Sequence, residues 1–254
     1  MTAIKGKMVH EPFNWKRYPE RVNYHMRYMP AGYNDNLFIE ILHSSMKSRV
    51  PFWDVLCSSR RRVIKDVHIC LAIEYLWEQL NPLVIIIMRH PCAMANSWLA
   101  LNLEPHSRID LLLSQEMLCK TYLAPFATHL RSRNDYFFEI GAYWGASYFV
   151  LSQIAAQHQE WQWVTHESLC VNSFLSFQQL LSNLGVALTP TQLERLNRFL
   201  GKNNRQRTVS EGPYSLARVS AKEPEKWRRQ LTQEQQQAIL AGAEPFGMIE
   251  KFAL

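Results

Sequence analysis

Three residues near the middle of the chain have the types and spacing to hold an anion. Arg89 follows directly on the apolar run Leu83-Val84-Ile85-Ile86-Ile87-Met88, Pro91 stands two residues further on, and Ser97 eight residues after the arginine. A short, uninterrupted, mostly β-branched run reads as a strand buried on both faces, as in a parallel sheet. Pro91 disfavours helix at His90 but suits a first helical turn. The unit is therefore strand, tight turn, helix. It leaves a guanidinium at the carboxyl end of a strand, close to a helix amino terminus. Open α/β sheets bind ligands at that edge, and helix amino termini favour anions. Further upstream, Lys65-Asp66-Val67-His68 gathers a cation, a carboxylate and an imidazole within four residues.

The elements that must position these groups can be read from the pattern. A short strand ending in Lys65 is followed by a helix in which Ile69, Ala72, Ile73, Leu76 and Leu80 share one face. With 83–88 this gives strand, helix, strand, which predicts a right-handed crossover in one parallel sheet. Phe38, Ile41, Leu42 and Met46 recur at helical spacing, so 36–48 is read as an amphipathic helix. The stretch 17–36 is rich in polar, aromatic and turn residues and reads as a long surface loop. Two long helices are expected at 109–130 and 135–158. The interleaved aromatics of the second could stack on single-stranded nucleic acid, but at helical spacing they read more simply as core. Trp161-Gln162-Trp163-Val164-Thr165 alternates as a strand. Helix 173–184 stops at Gly185. Thr189 caps the next helix, with Pro190 at its first position. Residues 200–222 are basic and turn-rich, ahead of a last helix at 232–242.

Composition narrows the classes. A chain of 254 residues, 47% hydrophobic and 20% charged, can bury a sizeable core and has the composition of a soluble globular protein. Its longest apolar run is far too short for a membrane span, and Met1–Lys7 has no apolar signal core. Five scattered cysteines with no Cys-x-x-Cys argue for reduced thiols in a cytoplasm and against a zinc site. The formal charge of +6 fits nucleic acid, an acidic membrane surface or a charged nucleotide.

Arg89, Pro91 and Ser97 together resemble the 3′-phosphate-binding segment of sulfotransferases that use 3′-phosphoadenosine 5′-phosphosulfate (PAPS). Other stretches resemble the same family in the same order. Glu11-Pro12-Phe13-Asn14 is similar to a segment of bacterial sulfotransferase-like proteins. Lys65 ends a short strand, as in the family, although His68 stands one residue later than the catalytic histidine of the animal cytosolic branch. His166-Glu167-Ser168-Leu169 resembles Tyr-Glu-Asp-Leu. Trp227 with Leu231-Thr232 resembles the end of the basic loop that closes the cofactor pocket. The resemblance implies an α/β fold, a parallel sheet flanked by helices in the P-loop nucleotide-kinase style. It spans 1–254 as one sulfotransferase-like domain. It further implies PAPS as cofactor, with adenosine 3′,5′-bisphosphate (PAP) as product. Arg89 and Ser97 then grip the 3′-phosphate, Arg218 is a further phosphate ligand, and Trp227 borders the adenine. Lys65 stabilises the transferring group or the leaving phosphate, and either Asp66 or His68 is the general base. A small-molecule, carbohydrate or lipid acceptor is implied in a cytoplasmic protein, with no metal and no nucleic-acid partner.

The front of the chain departs from that pattern. Family members open with a strand and a phosphosulfate loop, roughly Lys-Ser-Gly-Thr-Thr, ahead of the Glu-Pro-Phe-Asn segment. Here only ten residues precede Glu11, and no Gly-x-x-x-x-Gly-Lys-Ser/Thr occurs anywhere. The fold is expected to lack its first strand and to be N-terminally incomplete relative to the family. About three charge-assisted hydrogen bonds at ~1.5–3 kcal/mol each would go missing, roughly a thousandfold or more in binding or rate. A catalytically incompetent remnant, acting as a nucleotide-binding or interaction module, is the alternative expectation.

Overall fold

The computed structural model describes residues 6–47, 61–132, 135–200 and 224–252. The chain divides into two compact units, Met1–Pro82 with Leu188–Leu196, and Leu83–Ala187 with Asn197–Leu254. Helices dominate both, and each holds a small parallel sheet of two strands.

In the first unit, β1 (Gly6–His10) leads through a buried turn and loop to α1 (Asn36–Lys47), then to β2 (Arg61–Lys65) and α2 (Ile73–Leu80). A strand thus forms directly ahead of Glu11, where none was expected, and pairs in parallel with β2 from Gly6 opposite Arg61 to His10 opposite Lys65. The stretch 17–36 is not a surface loop throughout. It contains a 3-10 helix, Pro19–Tyr24, and buries Tyr24, Met26, Tyr28 and Met29. Aromatic packing explains this. Phe13 stacks on Phe38 at 4.4 Å and meets Tyr24 edge-on at 5.6 Å, in one core with Leu42, Ile69 and Tyr75. Each such ring pair adds about 0.5–1.5 kcal/mol beyond its area.

The second unit opens with β3 (Ile85–Met88) and α3 (Pro91–Ala100), then α4 (His106–Leu113). The long helix expected at 109–130 is broken. After Ser114 the chain passes through short α, π and 3-10 turns to the helix Ala127–Arg131. Ser114 Oγ donates to the Leu111 carbonyl at 2.9 Å, a local bond that competes with helix propagation. Pro125 has no N–H to continue a ladder. Next come α5 (Tyr136–Ala155), β4 (Gln162–Thr165), α6 (His166–Val171) and α7 (Ser173–Asn183), and near the end a short α9 (Trp227–Gln230) and α10 (Gln233–Ala243). The intervening α8 spans Pro190–Leu200. The caps are those the residues suggest. Asp135 accepts from the Phe137 and Phe138 amides, Thr189 from Gln192, and Thr232 with Gln235 forms a capping box.

Two expectations about β3 need correction. Its pairing partner is β4, in parallel, from Ile85 opposite Gln162 to Met88 opposite Thr165. No sheet among the described residues contains both β2 and β3, whereas the sequence pattern predicts one sheet for the two. Nor is β3 buried on both faces. Val84, Ile86 and Met88 are buried, whereas Leu83, Ile85 and Ile87 are 59%, 39% and 51% exposed. Apolar side chains on both faces reveal nothing about which face finds cover; the period of two only guarantees that they separate.

Helix α5 is buried along most of its length and holds the second unit together. It lies against α10 so closely that a Cβ on Gly141 would come 1.9 Å from the Ile239 carbonyl oxygen. One on Gly242 would come 2.1 Å from that of Phe138.

Candidate functional site

The first unit brings Lys65, Asp66 and His68 together around Glu11. Because β1 and β2 are parallel and in register, both end at the same edge, and the Glu11 amide donates to the Lys65 carbonyl at 2.7 Å. Glu11 adopts φ 46°, a left-handed conformation costing a non-glycine residue about 1–2 kcal/mol. Its carboxylate forms an ion pair with Lys65 Nζ and accepts from Asn14 Nδ2 at 3.0 Å. Burial pushes the Glu11 carboxyl up, but Lys65, Asn14 and His10 outweigh it and hold it below the ordinary value.

Asp66 ties the segment down. Its Oδ2 accepts from the Phe13 amide at 2.9 Å and its Oδ1 from the His68 amide at 2.7 Å. Burial raises its carboxyl by more than these two donors lower it. His68 places Nδ1 3.1 Å from Nδ1 of His25 and Nε2 3.9 Å from Glu11 Oε2. Glu11 and His25 are the residues of this cluster to which no role was assigned from sequence. Glu11 stood in a quoted segment without a task, and His25 lies 43 residues from its partner, a separation that carries no periodic signal.

The second unit positions the Arg89 turn. The Trp144 indole N–H donates to the Arg89 carbonyl at 2.8 Å, and Tyr148 Oη to that of Ile87 at 3.1 Å, so α5 fixes the end of β3. His90 caps α3: its Nδ1 accepts from the Cys92 amide at 3.2 Å, with Pro91 at the first helical position. The His90 amide donates to Glu167 Oε1 at 3.0 Å. Arg89 and Ser97 are both half-buried. Trp227 is buried beside this turn, its indole stacked on His90 and overlaid by the Arg228 guanidinium at 4.7 Å. Asn96 Nδ2 donates to Gln230 Oε1 at 2.7 Å, joining α3 to α9. Burial, reinforced by Arg228, lowers the His90 imidazole to about 4. Arg218 lies outside the described residues.

A groove of about 690 Å³ in the second unit lies between β4 and α7, walled by neutral groups such as Gln162, Trp163, Asn172, Ser176, Gln179 and Asn183. Among the described residues, Arg89, Ser97 and Trp227 do not line it. Among the described residues, no helix is long and apolar enough to cross a membrane, and no group of three or more His, Cys, Asp or Glu is placed to hold a metal ion.

Arg89 is the cationic residue of the turn, and Ser97 lies further along the helix. A guanidinium follows a strand end, and a hydroxyl lies on the helix that starts two residues later. The His90 and Cys92 amides are engaged by Glu167 and His90, so the charge of a bound phosphate would fall mainly to Arg89.

No protein-family model and no curated protein matches the chain. Among solved structures, the chain is similar to mouse sulfotransferase SULT7A1 complexed with PAP, at 16% identity over 99% of this chain and 88% of that one, with a TM-score of 0.43.

Proposed function

We propose that this chain is a sulfotransferase-like protein that moves a sulfuryl group from PAPS to a hydroxyl or amine acceptor. The observation that carries the reading is the turn from β3 through Arg89 and His90 to Pro91 at the first position of α3. It resembles the strand-to-helix setting in which the Arg-x-Pro…Ser spacing of PAPS-dependent sulfotransferases serves a ribose 3′-phosphate.

PAPS, when bound, supplies a sulfuryl group activated by its link to a phosphate. The chain's part is to bind, orient and move a proton. Arg89 and Ser97 hold the 3′-phosphate, with Arg218 as a further cation, and Trp227 borders the adenine. Lys65 offsets charge on the leaving phosphate, exchanging its Glu11 partner for that anion. Asp66 or His68 takes the proton of the acceptor. Calorimetry with PAP tests the reading: heat of binding is expected from the wild-type chain and its loss in Arg89→Ala.

One observation favours a second reading, a nucleotide-binding module without transfer activity. The edge where β1 and β2 end carries the Glu11 carboxylate, which occupies Lys65, and the chain runs from β1 into Glu11-Pro12 with no glycine-rich cradle. PAP binding with no label passed from sulfur-labelled PAPS to phenol, sugar or amine acceptors is the signature of that reading.

A further inference from the structure

We propose that His25 is a positioning residue for His68. It donates its Nδ1 proton to Nδ1 of His68, fixes that ring as the Nε2–H tautomer facing Glu11, and forms with it a pair that shares protons.

The two Nδ1 atoms are 3.1 Å apart, which admits one hydrogen and not two. Two N–H groups would collide there, and two lone pairs would repel. The direction follows from the far side of the His68 ring. Its Nε2 lies 3.9 Å from Glu11 Oε2, and Lys65 keeps that carboxylate ionised. A proton on Nε2 is attracted to it. A neutral imidazole has one N–H, so Nδ1 of His68 accepts and His25 donates.

The backbone makes the contact a designed one. The His25 amide donates to the Val22 carbonyl at 3.0 Å and ends the 3-10 helix. The next amide, of Met26, donates to the His68 carbonyl at 2.5 Å. Both imidazoles are thus carried on segments already bonded to each other. Asp66 holds the His68 amide from the other side.

The charged and titratable neighbours are of mixed sign. Glu11 faces the pair from the end of β1, with His10 3.9 Å from its Oε2 and Lys65 bonded to it from β2. Asp66 lies on the loop before His68. Trp15 presents its ring to His25 at 6.1 Å. The Cys70 thiol, 3.5 Å from Met26 Sδ, is pushed by burial up to about 12 and stays neutral. A first proton added to the pair makes the shared hydrogen bond charge-assisted and is offset by Glu11. A second must enter the 3.1 Å contact and force the rings apart. The pair therefore titrates as a unit, in two steps more than about one pH unit apart.

For the proposed sulfuryl transfer, on which this part of the inference rests, the consequence is specific. In this arrangement Nε2 of His68 carries a hydrogen, so His68 accepts a proton only after its tautomer changes, and His25 sets the resistance to that change.

The test is ring nitrogen NMR on the full-length chain, which reads no activity and so stands apart from the fate of the sulfotransferase reading. The wild-type spectrum at neutral pH should show His68 with a protonated Nε2 and an accepting Nδ1, and two separated titration steps coupled between the rings. His25→Asn, whose amide can donate from the position of Nδ1, should keep the tautomer. His25→Phe leaves only the 3.9 Å attraction of Glu11, so the Nε2–H preference should weaken and the titration should collapse to a single step. A wild-type His68 protonated on Nδ1, two independent single-step titrations, or a His68 Nε2–H preference unchanged in His25→Phe would each overturn the proposal. The wild-type spectrum alone decides should the phenylalanine variant not fold.

Discussion

The imidazole of His90 lies flat on the indole of Trp227, with ring centroids 4.5 Å apart and planes 9° from parallel. The same imidazole accepts from the Cys92 amide, so one side chain joins α9 to the start of α3. The capping role requires it neutral. Protonation would remove the acceptor lone pair and set a cation against a helix amino terminus and against Arg228.

A pH dependence follows. Burial, with Arg228, lowers His90 from 6.5 to about 4. A base depressed in the folded state contributes stability that is fully present above the unfolded value and lost as pH falls through the folded one. The wild-type chain should therefore lose about 2–3 kcal/mol between pH 6.5 and 4 from this group. His90→Asn keeps a capping acceptor and should flatten that slope, at a cost of about 1 kcal/mol at pH 7 from the lost ring stack. Urea unfolding at a series of pH values measures both.

Asp66 tests whether its carboxylate is structural. It accepts from the amides of Phe13 and His68, and removing it orphans two donors at about 1–3 kcal/mol each. Asp66→Ala should lower stability by roughly 2–4 kcal/mol at pH 7. Its raised carboxyl means that ionisation opposes folding, so part of that loss should shrink as pH rises through the folded value. A loss under ~1 kcal/mol by denaturant titration would contradict this role.

Glu11 has the opposite sign. Its lowered carboxyl stabilises the fold above the ordinary value and withdraws that contribution as pH falls through the folded one. Lys65 is 44% exposed, so solvent screening limits the pair to about 1 kcal/mol or less. Lys65→Met leaves only Asn14 and His10 to oppose burial, and the acid-limb slope due to Glu11 should flatten. Comparing midpoints for Lys65→Met and Glu11→Gln across the acid range checks the sign.

The crossing of α5 and α10 leaves no room at Gly141 or Gly242 for a methyl group against carbonyl oxygens. Backbone cannot yield as a flexible side chain can, so Gly141→Ala should cost about 3 kcal/mol. Thermal unfolding should show a drop of several degrees, and an unchanged midpoint would show that the helices sit further apart.

Much of the local structure was legible because it depends on nearby residues. Thr189 with Pro190, Gly185 at φ 65°, and the apolar stripe of 36–48 each mark an element within a few positions. What depends on distant partners was not. The exposed Ile85 and Ile87 have the same composition as the buried Ile86, and only the packing of the second unit separates them. The strand Gly6–His10 is defined by its register with 61–65, more than fifty residues away. At the site, the chemical types at Arg89, Lys65 and His68 were readable. The Glu11 clamp on Lys65 and the His25 contact arise from strand register and loop anchoring, and neither leaves a trace in spacing.

The central claim is that Arg89 reads a ribose 3′-phosphate, and the most direct measurement is calorimetry of PAP against adenosine 5′-monophosphate, on wild-type chain and Arg89→Ala. PAP should bind the wild type at least about tenfold more tightly than the monophosphate, a difference of ~1.4 kcal/mol, and Arg89→Ala should erase that preference. Equal affinity for the two nucleotides, no heat with either, or a preference that survives the substitution would contradict the account.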